Sequence, residues 1–375
     1  MKGFDTVYPA DSVEFCPGSG SESIFVCGTY KLEESPDSSS HQGEEPGLSP
    51  ATPRTQRRLG KCLVFETKQD EEYGFRQLQE FSLPAILDMK WCHRSPSANP
   101  LLGIADSEGK VTLHEWLQSE RRMEQVSSIT CADPDILCLS LDWSNRRSPT
   151  STLGSLVVSL SNGSLCLLQP DRSGLSVINT WAAHDYEPWI AAWDYWNTNI
   201  IYSGGDDLKM KGWDIREELT KPTFVNKRFE AGVTTIQSHP QVEHVIAVGS
   251  YDSTVSLFDT RNPLKPFTTA QVGGGAWRVK WHPSPTRKQD LLVACMHDGF
   301  KIVRFAPFFG EGANMEGGER EGGREWESWE VVKRFDEHES LAYGVDWSFK
   351  GGGEGEESVI ASASFYDHKL HLWKG

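Results

Sequence analysis

The sequence lacks the long apolar runs and the cysteine pairs by which membrane proteins and disulfide-framework proteins are recognised. No stretch approaches the roughly 18 apolar residues that a membrane helix needs, and the start MKGFDTVYPADSVEF has no apolar signal region. The 8 cysteines are scattered without a CxxC pair, which predicts reduced, mostly buried thiols. We therefore expect a cytoplasmic protein that does not insert into a membrane.

Basic residues are also few. Lys and Arg number 37 against 53 Asp and Glu, and the formal net charge is −16. A chain this acidic is poorly suited to bind the phosphates of nucleic acid or the surface of an anionic membrane. We expect a neutral or cationic partner and no direct contact with nucleic acid.

The short motifs of several enzyme classes are missing. There is no GxSxG nucleophile elbow, no HExxH and no GxxxxGK[ST], which excludes an α/β-hydrolase and disfavours zinc peptidases and P-loop enzymes. His368 and His371 lie three apart on a predicted strand, where their side chains point to opposite faces. We expect neither a metal site nor a cofactor.

A short strand that ends in an aromatic residue recurs along the chain. In the middle of the sequence it returns about every 40–50 residues, close to the roughly 40–45 residues of a four-stranded propeller blade. Apolar alternation and tight polar turns follow each copy, as in VIAVGSYDSTVSLFD, with no helical period. The pattern predicts an all-β fold, a seven-bladed β-propeller. The blade markers, with a serine in the fifth place, are Phe15, Trp91, Trp143, Trp193, Ser238, Trp281 and Trp347.

Three low-complexity segments interrupt the repeats. Residues 31–58 are rich in Ser, Pro and Glu, whereas 310–327 and 351–357 are rich in Gly and Glu. Such compositions bury too little apolar surface to order themselves, so we expect insertions in a single propeller domain over 1–375, the first of them disordered. The seventh unit is one strand short, and the N-terminal KGFDTVYP is predicted to supply that strand and close the ring.

These repeats resemble those of the WD-repeat propeller family. The dipeptides Trp213-Asp214 and Phe258-Asp259 match the family's signature, and aspartates stand in the turns six residues before a strand-closing aromatic. Those turn aspartates, which we expect to cap their turns, are Asp207, Asp252 and Asp367. The resemblance also implies structural networks that join His184 to Ser203, Asp207 and Trp213, and His338 to Asp367 and Trp373.

The resemblance to WD repeats covers the whole chain except the insertions, and a narrower resemblance lies within it. The runs EPWIAAWDYWNTNIIYSGGDDLKMKGWD, ACMHDGFKI and SFYDHKLHLW are similar to those of the WD-repeat family of diphthine methyl ester hydrolases. The resemblance implies hydrolysis of the methyl ester of diphthine on elongation factor 2, with release of methanol, as a step of diphthamide biosynthesis. Diphthine is a modified histidine that also carries a trimethylammonium group.

Aromatic and acidic residues gather where a propeller channel opens. The first strand of each blade lines the channel, and its entry shares a face with the turn between the second and third strands. Aromatic rings and carboxylates together suit a quaternary ammonium group. The residues expected to bind substrate, from these entries and turns, are Trp189, Trp277, Tyr343, Asp206, Tyr251 and Tyr366.

Three residues of the same face are candidate catalysts. His297 is the expected general base and His368 the second choice, since imidazole titrates near neutral pH. Arg278 could stabilise the oxyanion, as could the backbone amides of residues 273–276.

Several alternatives stay open from the sequence. Cys295 or Ser364 could act as a covalent nucleophile in place of an activated water. The protein, expected to be a monomer, could instead be a non-catalytic scaffold that docks a protein partner, for example in trafficking, because a fold does not decide a function. A further alternative is a reader of methylated lysine or arginine that became a hydrolase of another ester.

Overall fold

The structure is a computed structural model that describes residues 3–33, 56–172, 174–308, 328–351 and 356–375. In this part of the chain the strands form seven antiparallel sheets, and the inner strands of neighbouring sheets contact one another around a ring. The predicted all-β seven-bladed propeller is confirmed. The described residues form no α-helix and only a short 3-10 turn at Pro285–Arg287. The described part of the chain contains no helix with the length and apolar character needed to cross a membrane.

Blades two to six each consist of four consecutive strands, ordered from the channel outward. Blade two is β7 (Ile86–Cys92), β8 (Leu101–Asp106), β9 (Lys110–Leu117) and β10 (Arg122–Thr130); blade three is β11 (Cys138–Trp143), β12 (Leu156–Leu160), β13 (Ser164–Asp171) and β14 (Gly174–Ala182). Blade four is β15 (Ile190–Trp193), β16 (Ile200–Gly204), β17 (Met210–Asp214) and β18 (Phe224–Asn226); blade five is β19 (Val233–Ser238), β20 (Val245–Ser250), β21 (Thr254–Asp259) and β22 (Pro266–Gln271). Blade six is β23 (Arg278–Trp281), β24 (Asp290–Ala294), β25 (Phe300–Phe305) and β26 (Trp329–Phe335).

Blade one carries an additional short strand. Its members are β2 (Ala10–Phe15), β3 (Ile24–Thr29), β4 (Lys31–Leu32), β5 (Arg58–Thr67) and β6 (Phe75–Pro84). Strand β4 pairs with the beginning of β5, Lys31 opposite Leu59 and Leu32 opposite Arg58. Both ends of the predicted insertion 31–58 therefore lie in strands, because backbone pairing does not need an apolar side chain. Its interior, residues 34–55, lies outside the described residues, as do 310–327 and 352–355 of the other two insertions.

Blade seven joins the two ends of the described chain. It consists of β27 (Ala342–Trp347), β28 (Val359–Ser364), β29 (Lys369–Lys374) and β1 (Phe4–Asp5). Strand β1 pairs antiparallel with β29, Phe4 opposite Leu370, and the Phe4 ring packs edge-on against Phe65 of blade one with centroids 5.2 Å apart. The predicted closure by the N-terminal strand is confirmed, and it pairs an outer edge of the last blade.

The blade markers bind each blade to the one before it. In five of them the indole nitrogen donates to a backbone carbonyl of the preceding inner strand. The pairs are Trp91 to Glu14 (3.4 Å), Trp143 to Lys90 (2.9 Å), Trp193 to Asp142 (3.0 Å), Trp281 to Gln237 (3.3 Å) and Trp347 to Lys280 (2.9 Å). A buried indole must find an acceptor, and this repeated one explains why tryptophan recurs at the end of the inner strand.

Buried charges on the inner strands stabilise the middle of the channel. The Glu14 carboxylate accepts from Lys90 Nζ at 2.9 Å and also from Lys280. Lys90 reaches Asp88 at 2.5 Å, and Lys280 lies 3.6 Å from Asp346. Each ammonium is thus paired with two carboxylates, which is the condition under which charges can be buried.

Candidate functional site

Four aromatic side chains, one from each of blades four to seven, form a continuous surface at one end of the channel, which we call the aromatic wall. Trp277 is at its centre. Its ring lies 5.6 Å from Trp189, 6.0 Å from Tyr251 and 4.7 Å from Tyr343, centroid to centroid, and it stacks on Tyr343 at 22°. The structure therefore brings together four of the residues predicted from the sequence to bind substrate.

The wall continues outward along blade seven. Tyr343 packs against Phe365 at 5.0 Å, and Phe365 meets Tyr366 edge-on, also at 5.0 Å. Tyr366 is 70% exposed and marks the end of the row that faces solvent. Phe365 was not among the predicted residues, although it precedes Tyr366 in the same turn.

A carboxylate stands at the opposite end of the wall. The indole nitrogen of Trp189 donates to Asp206 Oδ1 at 2.8 Å, which places this predicted residue against the rings. Burial raises the pKa of Asp206, the bond from Trp189 opposes the rise, and the negative charge of Glu187 adds to it. The wall therefore has an acidic group at its edge.

Arg278 and Asp11 lie behind the wall, on the inner strands β23 and β2. Arg278 is 6% exposed, lies 5.0 Å from the Trp277 ring centroid and donates to the Trp277 carbonyl at 3.1 Å. Asp11 is 7% exposed, and its Oδ1 accepts no hydrogen bond from the described residues. Burial raises the pKa of Asp11 to about 7, although Arg278 lowers it and Asp88 adds to the rise.

The phenol groups of Tyr251 and Tyr343 are both influenced by the charges of Asp11 and Arg278. Burial raises the pKa of Tyr251 and of Tyr343, and the Asp11 carboxylate contributes to both rises while Arg278 opposes them. Both hydroxyl groups therefore stay protonated at neutral pH and can donate hydrogen bonds. The indole nitrogen of Trp277 is a further buried donor that has no acceptor among the described residues.

Asp11 was missed by the sequence analysis, although a signal for it was present. It stands four residues before the blade-one marker Phe15, the position that Trp189, Trp277 and Tyr343 occupy in their own blades. The sequence-based prediction rests on aromatic residues at this position, and an acidic residue does not fit that pattern.

The two predicted histidines lie in turns of the same face but outside this cluster. His297, between β24 and β25, is exposed and makes no hydrogen bond or ring contact with a described residue. His368 has φ of 56°, and its carbonyl accepts from Thr6 N at 2.9 Å, whereas its imidazole has no such partner in the described part. Their catalytic roles remain predictions.

The burial of Cys295 and Ser364 argues against either residue as a covalent nucleophile. All 8 cysteines are free and buried, as predicted, and Cys295 is 0% exposed, so that burial raises the pKa of its thiol to about 12. Ser364 is also 0% exposed, and its hydroxyl is held by Asp367 and by His338 Nδ1 at 2.5 Å. Neither side chain can reach an ester that approaches from solvent.

The predicted amide donors of residues 273–276 are only partly free. The Ala276 amide donates to Ser250 O at 2.9 Å, which closes the end of this loop. Gly274 packs so tightly against Cys295 O that a side chain there would lie 2.2 Å from it. The expectation of an oxyanion site is therefore wrong for Ala276.

The structural networks expected from the WD-repeat resemblance are present. His184 bonds Asp207 at 2.8 Å and Ser203 at 2.7 Å, and Trp213 donates to Ser203 at 2.9 Å. The second network links His338 through Ser362 and Ser364 to Trp373 and Asp367. The turn aspartates accept from the amide two residues on, namely those of Lys209, Thr254 and Lys369.

The fold and this site define a seven-bladed WD-repeat propeller with an aromatic wall, a buried carboxylate and an arginine at one end of its channel. No family model matches the chain. A solved chain from a crystal structure of the mitotic checkpoint complex superposes with a TM-score of 0.67 and 14% identity, over 100% of this chain and 91% of that chain. At this identity the likeness shows the fold alone.

Curated relatives give a closer comparison. The chain is 37% identical to diphthine methyltransferase of Mus musculus over 93% of this chain and 69% of the relative, and 38% identical to that of Homo sapiens over 93% and 74%. A diphthine methyltransferase homolog of Dictyostelium discoideum is 34% identical over 98% of this chain and 96% of its own length. The chain belongs to the diphthine methyltransferase family.

Proposed function

We propose that this protein hydrolyses the carboxylic methyl ester of methylated diphthine on elongation factor 2, releasing methanol, as a step of diphthamide biosynthesis. Membership of the diphthine methyltransferase family supports a role in that pathway. The observation that supports the reaction is the aromatic wall, since rings of the kind that bind a quaternary ammonium lie next to buried polar groups suited to act on a carbonyl.

The wall suits the trimethylammonium group of the substrate. A cation over an aromatic face is stabilised by about 2 kcal/mol when the contact is desolvated. Trp277 is 7% exposed and is flanked by three further rings, while Asp206 contributes a carboxylate at the edge. An arrangement of several rings and one acid favours a soft, bulky cation over a strongly hydrated one.

The groups behind the wall suit acyl transfer to water. Arg278 carries a positive charge, and the hydroxyl groups of Tyr251 and Tyr343 stay protonated because their pKa values are raised. All three can donate toward the oxyanion that forms on the carbonyl oxygen of the ester, and such donors stabilise a transition state most strongly where water is excluded. His297, exposed at the rim, remains a predicted base.

A second candidate is the transfer of a methyl group to diphthine. The observation in its favour is the name methyltransferase that the relatives carry. It requires a methyl donor and adds mass to the substrate, whereas hydrolysis requires only water and removes mass.

Mass spectrometry of elongation factor 2 separates these functions. The factor carrying methylated diphthine is incubated with the purified protein in water enriched in the heavy oxygen isotope, with wild type and His297→Ala in parallel. We expect wild type to remove one methylene mass and to place the label in the product carboxylate. Label found in methanol instead would indicate attack on the methyl carbon and refute the acyl route.

Two further arms test the alternatives. The demethylated factor is incubated with S-adenosylmethionine, and a gain of one methylene mass would support the transferase and overturn the proposal. If the mass of elongation factor 2 changes in neither experiment, a non-catalytic scaffold would be the remaining function. Full activity of His297→Ala would retain the hydrolase and remove His297 from its mechanism.

A further inference from the structure

One buried carboxylate at the channel entry has no structural role that the rest of the fold explains. The other inner-strand acids have partners: Asp88, Asp142 and Asp346 each accept a backbone amide of the following blade, at 2.8–3.1 Å, and Glu14 binds two lysines. Asp11 makes no such bond, and its Oδ1 is buried without a donor among the described residues. A desolvated acid without a partner costs stability, and such groups concentrate at functional sites.

The surroundings of Asp11 match those of a base rather than those of a structural ion. Four groups from four other elements act on it or feel its charge: Arg278 on β23, Asp88 on β7, Tyr251 after β20 and Tyr343 on β27. No salt bridge within 4.0 Å joins Asp11 to a cation of the described chain, so the carboxylate is available to accept a proton.

We propose that Asp11 is the general base of the hydrolysis, taking the proton of the water that attacks the ester carbonyl. The inference rests on the proposed function. As the water oxygen bonds to the carbonyl carbon, its proton passes to Asp11 and the carbonyl π electrons move to oxygen, where Arg278 and the two phenols donate. When the carbonyl reforms, the bond to methoxide breaks and methoxide takes the proton from Asp11 as methanol. The product acid then loses its own proton to solvent.

The proposal accounts for the raised pKa of Asp11, about 7, as a functional property. A base is most effective when its pKa lies near the working pH, and positioned proton transfer contributes roughly 10²–10⁴ in rate. Because the base must be ionised, kcat/KM should rise with pH up to about 7 and then level. Loss of the base should lower kcat and leave KM close to that of wild type.

The test compares Asp11→Asn with Asp142→Asn on the methylated factor. Asp142 is a matched control, since it is also a buried inner-strand acid whose Oδ1 accepts no hydrogen bond from the described residues, but its Oδ2 accepts from Trp193 N and its Oδ1 pairs with Arg146 at 3.6 Å. We expect Asp11→Asn to lower kcat by roughly 10²–10⁴ at unchanged KM, and Asp142→Asn to stay near wild type. Unchanged kcat in Asp11→Asn, or a raised KM at full kcat, would overturn the proposal.

The pH profile of wild type provides a test that needs no folded variant. A carboxyl base has a midpoint that moves little with temperature, whereas an imidazole midpoint moves strongly, so profiles at two temperatures distinguish Asp11 from a histidine. A temperature-sensitive midpoint would overturn the role of Asp11 while leaving the hydrolase. No hydrolysis by wild type would instead refute the proposed function itself.

Discussion

The charge of Glu14 holds the centre of the propeller together, and its removal should be costly. Glu14 is 3% exposed and binds the ammonium groups of both Lys90 and Lys280. In Glu14→Gln the shape is kept but the charge is lost, so the two lysines retain only Asp88 and Asp346. The substitution therefore isolates the electrostatic part of the interaction between blades one, two and six.

The sign of the effect follows from the pKa, and its size from the burial of the ion pairs. Burial alone would raise the pKa of Glu14, but Lys280 and Lys90 outweigh it and lower the value from 4.5 to about 2. Removing one member of a buried ion pair costs roughly 3–5 kcal/mol, and we expect the lower end, about 3 kcal/mol, because each lysine keeps one carboxylate. Since the folded pKa is the lower one, this stabilisation is complete above pH 4.5 and is lost as the pH falls toward 2.

Urea unfolding at neutral pH measures the loss. We expect Glu14→Gln to lower the free energy of unfolding by about 3 kcal/mol at an unchanged m-value. The control is Glu115→Gln, which removes a pair with Arg94 at 3.0 Å that is partly exposed and should matter by less than about 1 kcal/mol. Equal small losses in the two variants would show that the buried pairs contribute nothing beyond a surface pair.

Three further perturbations test other parts of the structure. Trp277→Ala should weaken binding of the trimethylammonium substrate by about 2 kcal/mol, measured as KM, with Trp277→Phe recovering part of it; an unchanged KM would argue against the wall as the cation site. Ser203→Ala leaves His184 and Trp213 without their shared hydrogen-bond partner and should lower the free energy of unfolding by about 2 kcal/mol. Thermal melting measures this loss, and an unchanged melting temperature would contradict the role of the network. Phe4→Ala should lower the free energy of unfolding by about 2 kcal/mol and should speed hydrogen exchange in β29 before it does so in other strands. If another blade exchanges first, Phe4 does not stabilise the closure of the ring.

Much of the fold was predictable because its signals are local. A tryptophan at the end of each inner strand is buried and donates to the blade before it, so the same residue type recurs at the same place. The networks around His184 and His338 were predictable for a different reason, since the resemblance to WD repeats implies them. Strand β4 was not, because its pairing with β5 rests on backbone groups that no composition reveals.

The site was predictable only where residues of one kind repeat. Trp189, Trp277 and Tyr343 share a position along their blades, and the ring geometry brings them together. Asp11 shares that position, but its burial and its lack of a partner depend on side chains from blades two, five, six and seven, which the sequence does not place. The loop at 273–276 was misjudged because the Ala276 amide is bound by blade five.

The strand that closes blade seven determines when the protein can become active during its synthesis on the ribosome. Asp11 belongs to the first blade and Tyr343 to the last, and the backbone of Gly344 passes so close to Ser12 that a side chain there would clash. The site therefore lies across the contact between blades one and seven, and blade seven is complete only when β29 has been synthesised and pairs with β1. A nascent chain can hold every residue of the site and still be inert, and a premature stop before β29 should abolish activity without deleting one of them.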